Sequence, residues 1–329
     1  VGVEKDCSIA VGEPLPAERV VARACDRWHG MVHQSDRLQI TRSAGEDTAV
    51  AAGEGGVDFG LRGVELRSPH HLPDQGAFGA LYDAARAFWR VPEGAALLAA
   101  PGASALIARI PALMPAGQVH IPAPTYNEHW AAFRAHGWQA GEGGARVVVH
   151  PNNPDGRLWA ASDLTTSLSI IDESFCDVTP GDSLIGNAAQ PGTIVLKSFG
   201  KFWGLAGLRL GFAIGDPALI GQLREMLGPW PVSGVALEIG ARALRDTAWA
   251  GETRKRLTMN SDQLDTLVCK QGATLLGGTT LFRLYQVADA ARWQDRLARH
   301  HIWTRIFPYA DNWIRLGLPA PDAWNRLEA

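Results

Sequence analysis

The segment SFGKFWGLAGLRLGF occupies residues 198–212. Its polar side chains are Ser198, Lys201 and Arg209, set among apolar residues and four glycines. A buried lysine is costly unless it has a partner or takes part in chemistry. Glycine lets the backbone approach another group closely. The segment therefore predicts a pocket wall that holds an anion and presents one amine.

Two simpler interpretations of this segment exist. A strand–turn–strand in which Lys201 and Arg209 reach water remains open, because Lys and Arg are rarely buried without a partner. A Walker-type phosphate loop is excluded, although the Gly-Lys pair is present. Phe202 stands where Ser or Thr is required, and Val195 stands in place of the first glycine.

Length and composition describe an ordinary globular protein. The chain has 329 residues, of which 46% are hydrophobic and 20% charged, enough for one large domain with an elaboration or for two domains. The formal net charge of -3 predicts no general attraction to nucleic acid or to an anionic membrane.

The cysteines and the apolar stretches bear on compartment and metal binding. Cys7, Cys25, Cys176 and Cys269 are scattered without a C-x-x-C pair, so neither a metal site nor a disulfide framework is predicted. The uncharged stretch 94–108 is too short to span a membrane, and no signal peptide opens the chain. We expect a cytoplasmic protein.

Apolar periodicity predicts a parallel α/β sheet followed by a smaller α+β lobe. Residues 1–70 show no sustained period. Helices are predicted over 77–90, 131–136, 217–227, 237–244, 252–270 and 290–300, with a further helical run after Ser104. Strands are predicted over 119–121, 147–150, 168–171 and 193–196, and in the lobe over 273–276, 280–285, 302–306 and 313–316, with a strand or loop over 97–100.

Polar clusters follow the predicted strands, where parallel sheets bind ligands. They are PTY at 124–126, HPNNPDG at 150–156, DES at 172–174 and SFGK at 198–201. Pro101-Gly102-Ala103-Ser104 also precedes a helix, whose free N–H groups and positive dipole end favour an anion. A plain N-cap at Ser104 is the alternative there.

These clusters, in this order, resemble the aspartate aminotransferase superfamily of pyridoxal-phosphate enzymes, fold type I. The segments KFWGLAGLRLGF, HPNNPDGRLW and IDESF are most similar to threonine-phosphate decarboxylases, which are relatives of histidinol-phosphate aminotransferase. The resemblance covers residues 73–320. It implies a large domain with a mostly parallel central sheet (71–230), linking helices with a small α+β domain (231–329), and an N-terminal arm (1–70). It also implies a homodimer.

The resemblance assigns roles around pyridoxal 5'-phosphate. Lys201 matches the lysine that forms a Schiff base with the cofactor aldehyde, and Asp172 matches the carboxylate beside the ring nitrogen. Asn153 would donate to the ring oxygen O3′, and Tyr126 would lie on the ring face. The alternatives are a turn-capping role for Asp172, a turn residue before Pro154 for Asn153, and a core position for Tyr126.

The cofactor phosphate and the substrate need cationic and backbone donors. The resemblance places the phosphate at Gly102, Ala103 and Ser104, with the Ser198 hydroxyl and the Arg209 guanidinium completing the set. Near the C-terminus, Arg315 matches the clamp for the substrate carboxylate and Arg305 a second substrate arginine. Surface positions are the alternative for both.

The chain departs from the family pattern at several places. Phe175 replaces a tyrosine that donates to O3′ in many relatives, Gly200 replaces a small hydroxyl residue, and Leu72 replaces a tyrosine that reaches the neighbouring subunit. Asp172 follows Asn153 by only 19 residues, which leaves little room for a helix. The N-terminal Asn-Pro segment that helps bind a substrate phosphate is missing, with residues 58–59 as its one candidate remnant.

Three functions remain open at the level of sequence. The first is decarboxylation of L-threonine O-3-phosphate, a phosphorylated amino acid, to (R)-1-amino-2-propanol O-2-phosphate in cobalamin biosynthesis. The second is an aminotransferase of the histidinol-phosphate type. The third is a non-catalytic cofactor-binding or regulatory homologue. Regulators of this superfamily carry a DNA-binding helix pair, but residues 1–70 show no such pair and no basic patch.

Overall fold

The computed structural model describes residues 72–164 and 166–328. The predictions made for residues 1–70, including the remnant at 58–59, lie outside this range. So do Cys7 and Cys25.

A seven-stranded sheet forms the centre of the larger part of the molecule, in the order β1-β7-β6-β5-β4-β2-β3. The run from β6 to β3 is parallel, whereas β7 is antiparallel to both of its neighbours. The predicted, mostly parallel sheet is confirmed. Its strands are β1 (Ala96–Ala100), β2 (Gln118–His120), β3 (Gln139–Ala140), β4 (Ala145–Val149), β5 (Leu168–Asp172), β6 (Thr193–Ser198) and β7 (Gly211–Gly215).

Strand β7 was not predicted from the sequence, and its first two residues were placed in the pocket wall. Its sequence GFAIG has a glycine at each end, a pattern more typical of turns than of strands. The structure shows why glycine is needed. A Cβ on Gly215 would lie 2.1 Å from the Thr193 carbonyl oxygen, and one on Gly211 would lie 2.5 Å from the Ala103 nitrogen.

Helices cover both faces of this sheet, and each face has its own apolar core. Strands β4 to β7 are almost wholly buried, which explains their continuous apolar runs. Asp74, Asp216, Ser233 and Asp246 cap helix N-termini by accepting a backbone N–H. The helices are α1 (Gln75–Trp89), α2 (Ala103–Ile107), α3 (Asn127–Ala135), α4 (Pro217–Leu227), α5 (Gly234–Arg245) and α6 (Thr247–Lys270).

The C-terminal part is a four-stranded antiparallel sheet in the order β10-β11-β9-β8. Arg305 on β10 lies opposite Arg315 on β11. The elements are β8 (Thr274–Thr279), β9 (Phe282–Gln286), α7 (Ala290–Arg299), β10 (Arg305–Phe307), β11 (Ala310–Gly317) and α8 (Asn325–Glu328).

Several predicted boundaries were wrong by a few residues. Helices α3 and α6 begin at Asn127 and Thr247, each a turn or more before the predicted start. Strand β10 begins at Arg305 rather than at Ile302. Within the described residues, no helix combines the length and apolar character needed to cross a membrane. The division into domains at residue 230 stays a prediction.

Candidate active site

Asp172 is the last residue of β5 and lies buried at the carboxyl end of the sheet. Its Oδ2 is 2.8 Å from His129 Nε2, and its Oδ1 accepts hydrogen bonds from the Ser174 backbone N–H at 3.0 Å and hydroxyl at 2.5 Å. Burial alone would raise the pKa of Asp172, but His129 and the Ser174 hydrogen bonds outweigh it and hold that pKa below its usual value. The carboxyl is therefore ionised at neutral pH.

His129 is a site residue that the sequence did not reveal. It lies in the first turn of α3, three residues after Tyr126, with 1% of its surface exposed. Its ring packs edge-on against the Tyr126 ring, with the centroids 6.1 Å apart. The predicted helix began at residue 131, which left out the first turn of α3 and the histidine that this turn directs toward the end of β5.

The loop at 150–156 is tied to the loop before α3 through Asn152, a second residue that was missed. Its side-chain amide donates to the Pro124 carbonyl oxygen at 2.9 Å and to Asp155 Oδ1 at 2.7 Å. Its Oδ1 accepts the Thr125 hydroxyl proton at 2.6 Å. These bonds set the position of the neighbouring Asn153.

Asn153 and Arg315 meet although 162 residues separate them in sequence. Arg315 Nη1 donates to Asn153 Oδ1, and the arginine is buried to all but 8%. Its guanidinium also lies 5.3 Å from the centroid of the Phe282 ring. The surface alternative for Arg315 is therefore wrong. Arg305 is its cross-strand neighbour and is half-buried, and its substrate role stays a prediction.

Lys201 lies in the turn after β6, with its Nζ 5.2 Å from the centroid of the Phe175 ring. Phe175 packs edge-on against Phe282 at 5.0 Å, so two aromatic rings connect the lysine to the surroundings of Arg315. Phe175 is thus part of the wall between them. It supplies an apolar surface there, without a hydroxyl.

Two of the predicted phosphate residues, Gly102 and Arg209, come together. Gly102 has φ +84° and is so close to Arg209 that an added Cβ would lie 2.5 Å from Nη2. Gly102 is the N-cap of α2, and Ser104 lies inside its first turn, so the plain N-cap at Ser104 is wrong. Ser198 is at the end of β6, where its Oγ accepts from the Gly200 N–H at 3.2 Å.

One other cluster has the composition of a metal site. Ligand atoms of His150, Glu173 and Cys176 lie within 4.8 Å of one another. However, His150 donates from Nε2 to the Asp182 carbonyl oxygen at 2.7 Å and accepts the Trp159 N–H at Nδ1, so both ring nitrogens are engaged. Burial also raises the pKa of the Cys176 thiol, which disfavours the thiolate that a metal needs. We assign no metal to this cluster.

The residues present fit pyridoxal phosphate. An ionised, buried carboxylate matches a protonated ring nitrogen, Lys201 supplies an amine for the aldehyde, and a guanidinium packs against a glycine where a phosphate needs close approach. A seven-stranded mixed sheet and a separate small antiparallel sheet carry these groups. Fold and site together define a pyridoxal-phosphate-dependent enzyme of fold type I.

The chain belongs to the aminotransferase class I and II family, whose model matches residues 139–327. Among curated relatives, the threonine-phosphate decarboxylase of Sinorhizobium sp. is 38% identical, over 80% of this chain and 84% of its own. The threonine-phosphate decarboxylase of Pseudomonas aeruginosa is 39% identical, over 69% of this chain and 75% of its own.

A solved structure supports the fold. The histidinol-phosphate aminotransferase of Sinorhizobium meliloti, in complex with pyridoxal-5'-phosphate, superimposes with a TM-score of 0.68. It is 18% identical and covers 78% of this chain and 80% of its own.

Proposed function

We propose that the protein decarboxylates L-threonine O-3-phosphate to (R)-1-amino-2-propanol O-2-phosphate and carbon dioxide, in cobalamin biosynthesis. The observation that carries the proposal is the 38% and 39% identity to two threonine-phosphate decarboxylases over most of the chain. The site supports it, because its residues fit the cofactor and because Arg315 offers a buried guanidinium for a carboxylate.

Some residues around the cofactor would bind it, and others would set the protonation state of its ring. When bound, pyridoxal phosphate supplies an electron sink for the pair left on the substrate α-carbon. Asp172, ionised in the fold, would hold the ring nitrogen in its protonated form. Asn153 would donate to O3′, and Tyr126 would cover one face of the ring. Arg209, Ser198 and the start of α2 would hold the phosphate.

Lys201 would hold the cofactor covalently through its Nζ amine. Arg315 would bind the substrate carboxylate with its planar fork, next to Asn153. Arg305 would contact the rest of the substrate. The bond between the α-carbon and the carboxylate breaks, carbon dioxide leaves, and a proton is added to the same carbon.

The test is incubation of the purified protein with threonine phosphate and identification of the products. We expect carbon dioxide and aminopropanol phosphate in equal amounts. A keto product, with conversion of the cofactor to its pyridoxamine form, would instead establish the second candidate, an aminotransferase of the histidinol-phosphate type. That candidate is favoured by the same arginine clamp and by the shared fold.

Lys201→Ala is the matched control for this assay. The variant should lose the long-wavelength absorbance of the bound cofactor together with turnover. Wild-type protein that binds the cofactor but turns over neither substrate would support the non-catalytic homologue and contradict both enzymatic proposals.

We further propose that the protein is a cytoplasmic homodimer that divides into the domains predicted from the sequence. The proposal rests on the family resemblance, in which each site is built across two subunits. Sedimentation equilibrium of the purified chain should give twice the chain mass of 35.4 kDa. A monomer mass under assay conditions with full activity would contradict it.

A further inference from the structure

A buried ionic cluster lies next to the turn that carries Lys201. We name it the Lys197 cluster, made of Glu173, Lys197 and Asp177. Lys197 Nζ is 2.6 Å from Glu173 Oε2 and 3.4 Å from Asp177 Oδ1. The three residues are exposed by only 1%, 2% and 3% respectively. None of them has a role in the proposed binding of cofactor or substrate.

The lysine in this cluster is charged. Burial alone would lower the pKa of Lys197, but the attraction of the Glu173 and Asp177 carboxylates outweighs it and raises that pKa above its usual value. Buried ion pairs are a weak source of net stability, because desolvation offsets much of the attraction. The cluster is therefore better explained by the groups that its carboxylates connect than by a contribution to the free energy of unfolding.

One carboxylate of the cluster holds the turn after β6. Asp177 Oδ2 accepts a hydrogen bond from the indole N–H of Trp203 at 2.8 Å, and Trp203 is two residues beyond Lys201. The Trp203 ring is stacked between Phe199 and Trp249, with both centroid distances 5.5 Å and both interplanar angles 16°. Rings on both sides of Lys201 in the chain are thus locked in one stack.

The backbone of the turn is closed by two hydrogen bonds. The Gly204 N–H donates to the Lys201 carbonyl oxygen at 3.1 Å, and the Leu205 N–H donates to the Phe199 carbonyl oxygen at 3.0 Å. This turn lies within a few residues of Lys201. The hydrogen bond from the Trp203 indole joins it to the buried carboxylate of Asp177.

The other carboxylate reaches the segment of Asp172. Glu173 directly follows Asp172, and besides Lys197 it accepts the Ser183 hydroxyl at 2.7 Å and the Leu184 N–H at 2.6 Å. The cluster thus links the end of β5, where the predicted acid lies, to β6, the strand that precedes the predicted amine.

We propose that the Lys197 cluster is a positioning device, which holds Lys201 in register with Asp172 through the hydrogen bond from Trp203 to Asp177. The inference rests on the proposed role of Lys201. A charge-assisted hydrogen bond to a buried carboxylate is short and directional, which suits it to fixing a turn. Displacement of a reacting group by about 1 Å costs roughly 100-fold in rate, so such a device matters for turnover.

The structure offers a matched pair of variants. Trp203→Phe removes the indole N–H from Asp177 Oδ2 and keeps an aromatic ring in the stack. Trp89→Phe removes the second indole N–H that binds this carboxylate. The Trp89 indole N–H donates to Asp177 Oδ1 at 2.9 Å. Trp89 lies on α1 and its ring packs edge-on against Phe199 at 6.4 Å, so phenylalanine keeps an aromatic ring at this position as it does at 203.

The first readout is amide hydrogen exchange of the apoprotein. In Trp203→Phe, exchange at Gly204 and Leu205 should be at least about 10-fold faster than in wild type, and in Trp89→Phe it should change less than about 2-fold. In the loaded enzyme, Trp203→Phe should lower kcat about 10-fold with KM within about 2-fold, and should shift the pH midpoint of the cofactor absorbance. Trp89→Phe should keep at least half of the wild-type kcat.

Equal exchange rates in the two variants, or unchanged exchange and kcat in Trp203→Phe, would overturn the inference. If Trp203→Phe does not fold, replacing Trp203 with benzothienylalanine tests the same bond, since sulfur then takes the place of the N–H. Wild-type protein that binds no cofactor would refute the proposed function. The exchange experiment on apoprotein would still decide whether the indole anchors the turn.

Discussion

Replacing Gly102 with alanine should weaken cofactor binding far more than the same change at another glycine of similar conformation. Gly102 has φ +84° and ψ 157°, a backbone region that is almost restricted to glycine. The new Cβ would lie 2.5 Å from Arg209 Nη2, at the far end of a flexible side chain. The guanidinium would therefore move away from the start of α2, where we propose that it binds the phosphate.

The magnitude follows from two separate costs. Backbone strain of this kind costs about 1–3 kcal/mol of stability, whether or not a cofactor is bound. Displacing Arg209 removes charge-assisted hydrogen bonds, worth about 1.5–3 kcal/mol, from the holoprotein alone. That second cost corresponds to a dissociation constant for pyridoxal phosphate that is roughly 10- to 150-fold higher.

Gly228 provides the control, because it has φ 74° and ψ −172° and a Cβ added there would have no atom within 4 Å. Gly228→Ala should show a similar loss of apoprotein stability in urea, with less than about 2-fold change in affinity. Affinity is measured by absorbance titration of apoprotein. Equal affinity losses in the two variants, or an unchanged affinity in folded Gly102→Ala, would refute the reasoning.

Three further predictions concern the acid, the clamp and the small sheet. The pKa of Asp172 is lowered in the fold, so its charge stabilises the protein above the unfolded value of about 3.9, and this stabilisation is lost as pH falls through the folded value. Asp172→Asn should flatten the acid side of the stability–pH curve in urea unfolding and lower kcat; an unchanged curve would contradict the assignment. Arg315→Lys should lower kcat/KM by roughly 10- to 100-fold in steady-state assays, since a point charge replaces a planar fork; a change below about 2-fold would argue against the clamp. Asp265 accepts hydrogen bonds from the Arg283 guanidinium at 3.0 and 2.6 Å and from the Tyr285 hydroxyl at 2.6 Å. Asp265→Asn should therefore reduce the free energy of unfolding by about 2 kcal/mol without changing kcat. A lower kcat at unchanged stability would contradict a purely structural role.

Local patterns predicted most of the elements because local physics forms them. The continuous apolar runs of β4, β5 and β6 are what a strand buried on both faces requires. The pattern failed at β7, because its end glycines are demanded by neighbouring backbone, the Thr193 carbonyl oxygen at one end and the start of α2 at the other. Those contacts join segments far apart in the chain, and no local window contains them.

Short motifs predicted several residues of the site, because the order of the strands brings those motifs together. Asp172 and Lys201 end or follow neighbouring parallel strands, so strand order alone places them at one edge of the sheet. His129 and Asn152 were missed because a lone histidine in a helix and an asparagine beside another asparagine carry no signal of their own. Their function as supports depends on partners 43 and 27 residues away.

The sequence was enough to predict fold type I, the polar clusters that follow the strands, and the residues proposed as the amine, the acid and the phosphate ligands. The sheet follows from local periodicity, whereas the fold type and the roles of these residues follow from the resemblance of the motifs to pyridoxal-phosphate enzymes. Tertiary structure was needed to show that Arg315 lies buried against Asn153, that Gly102 packs on Arg209, and that Lys197 is held between two carboxylates. Each of these is a contact between distant segments, and burial is what turns such a contact into a strong and directional interaction.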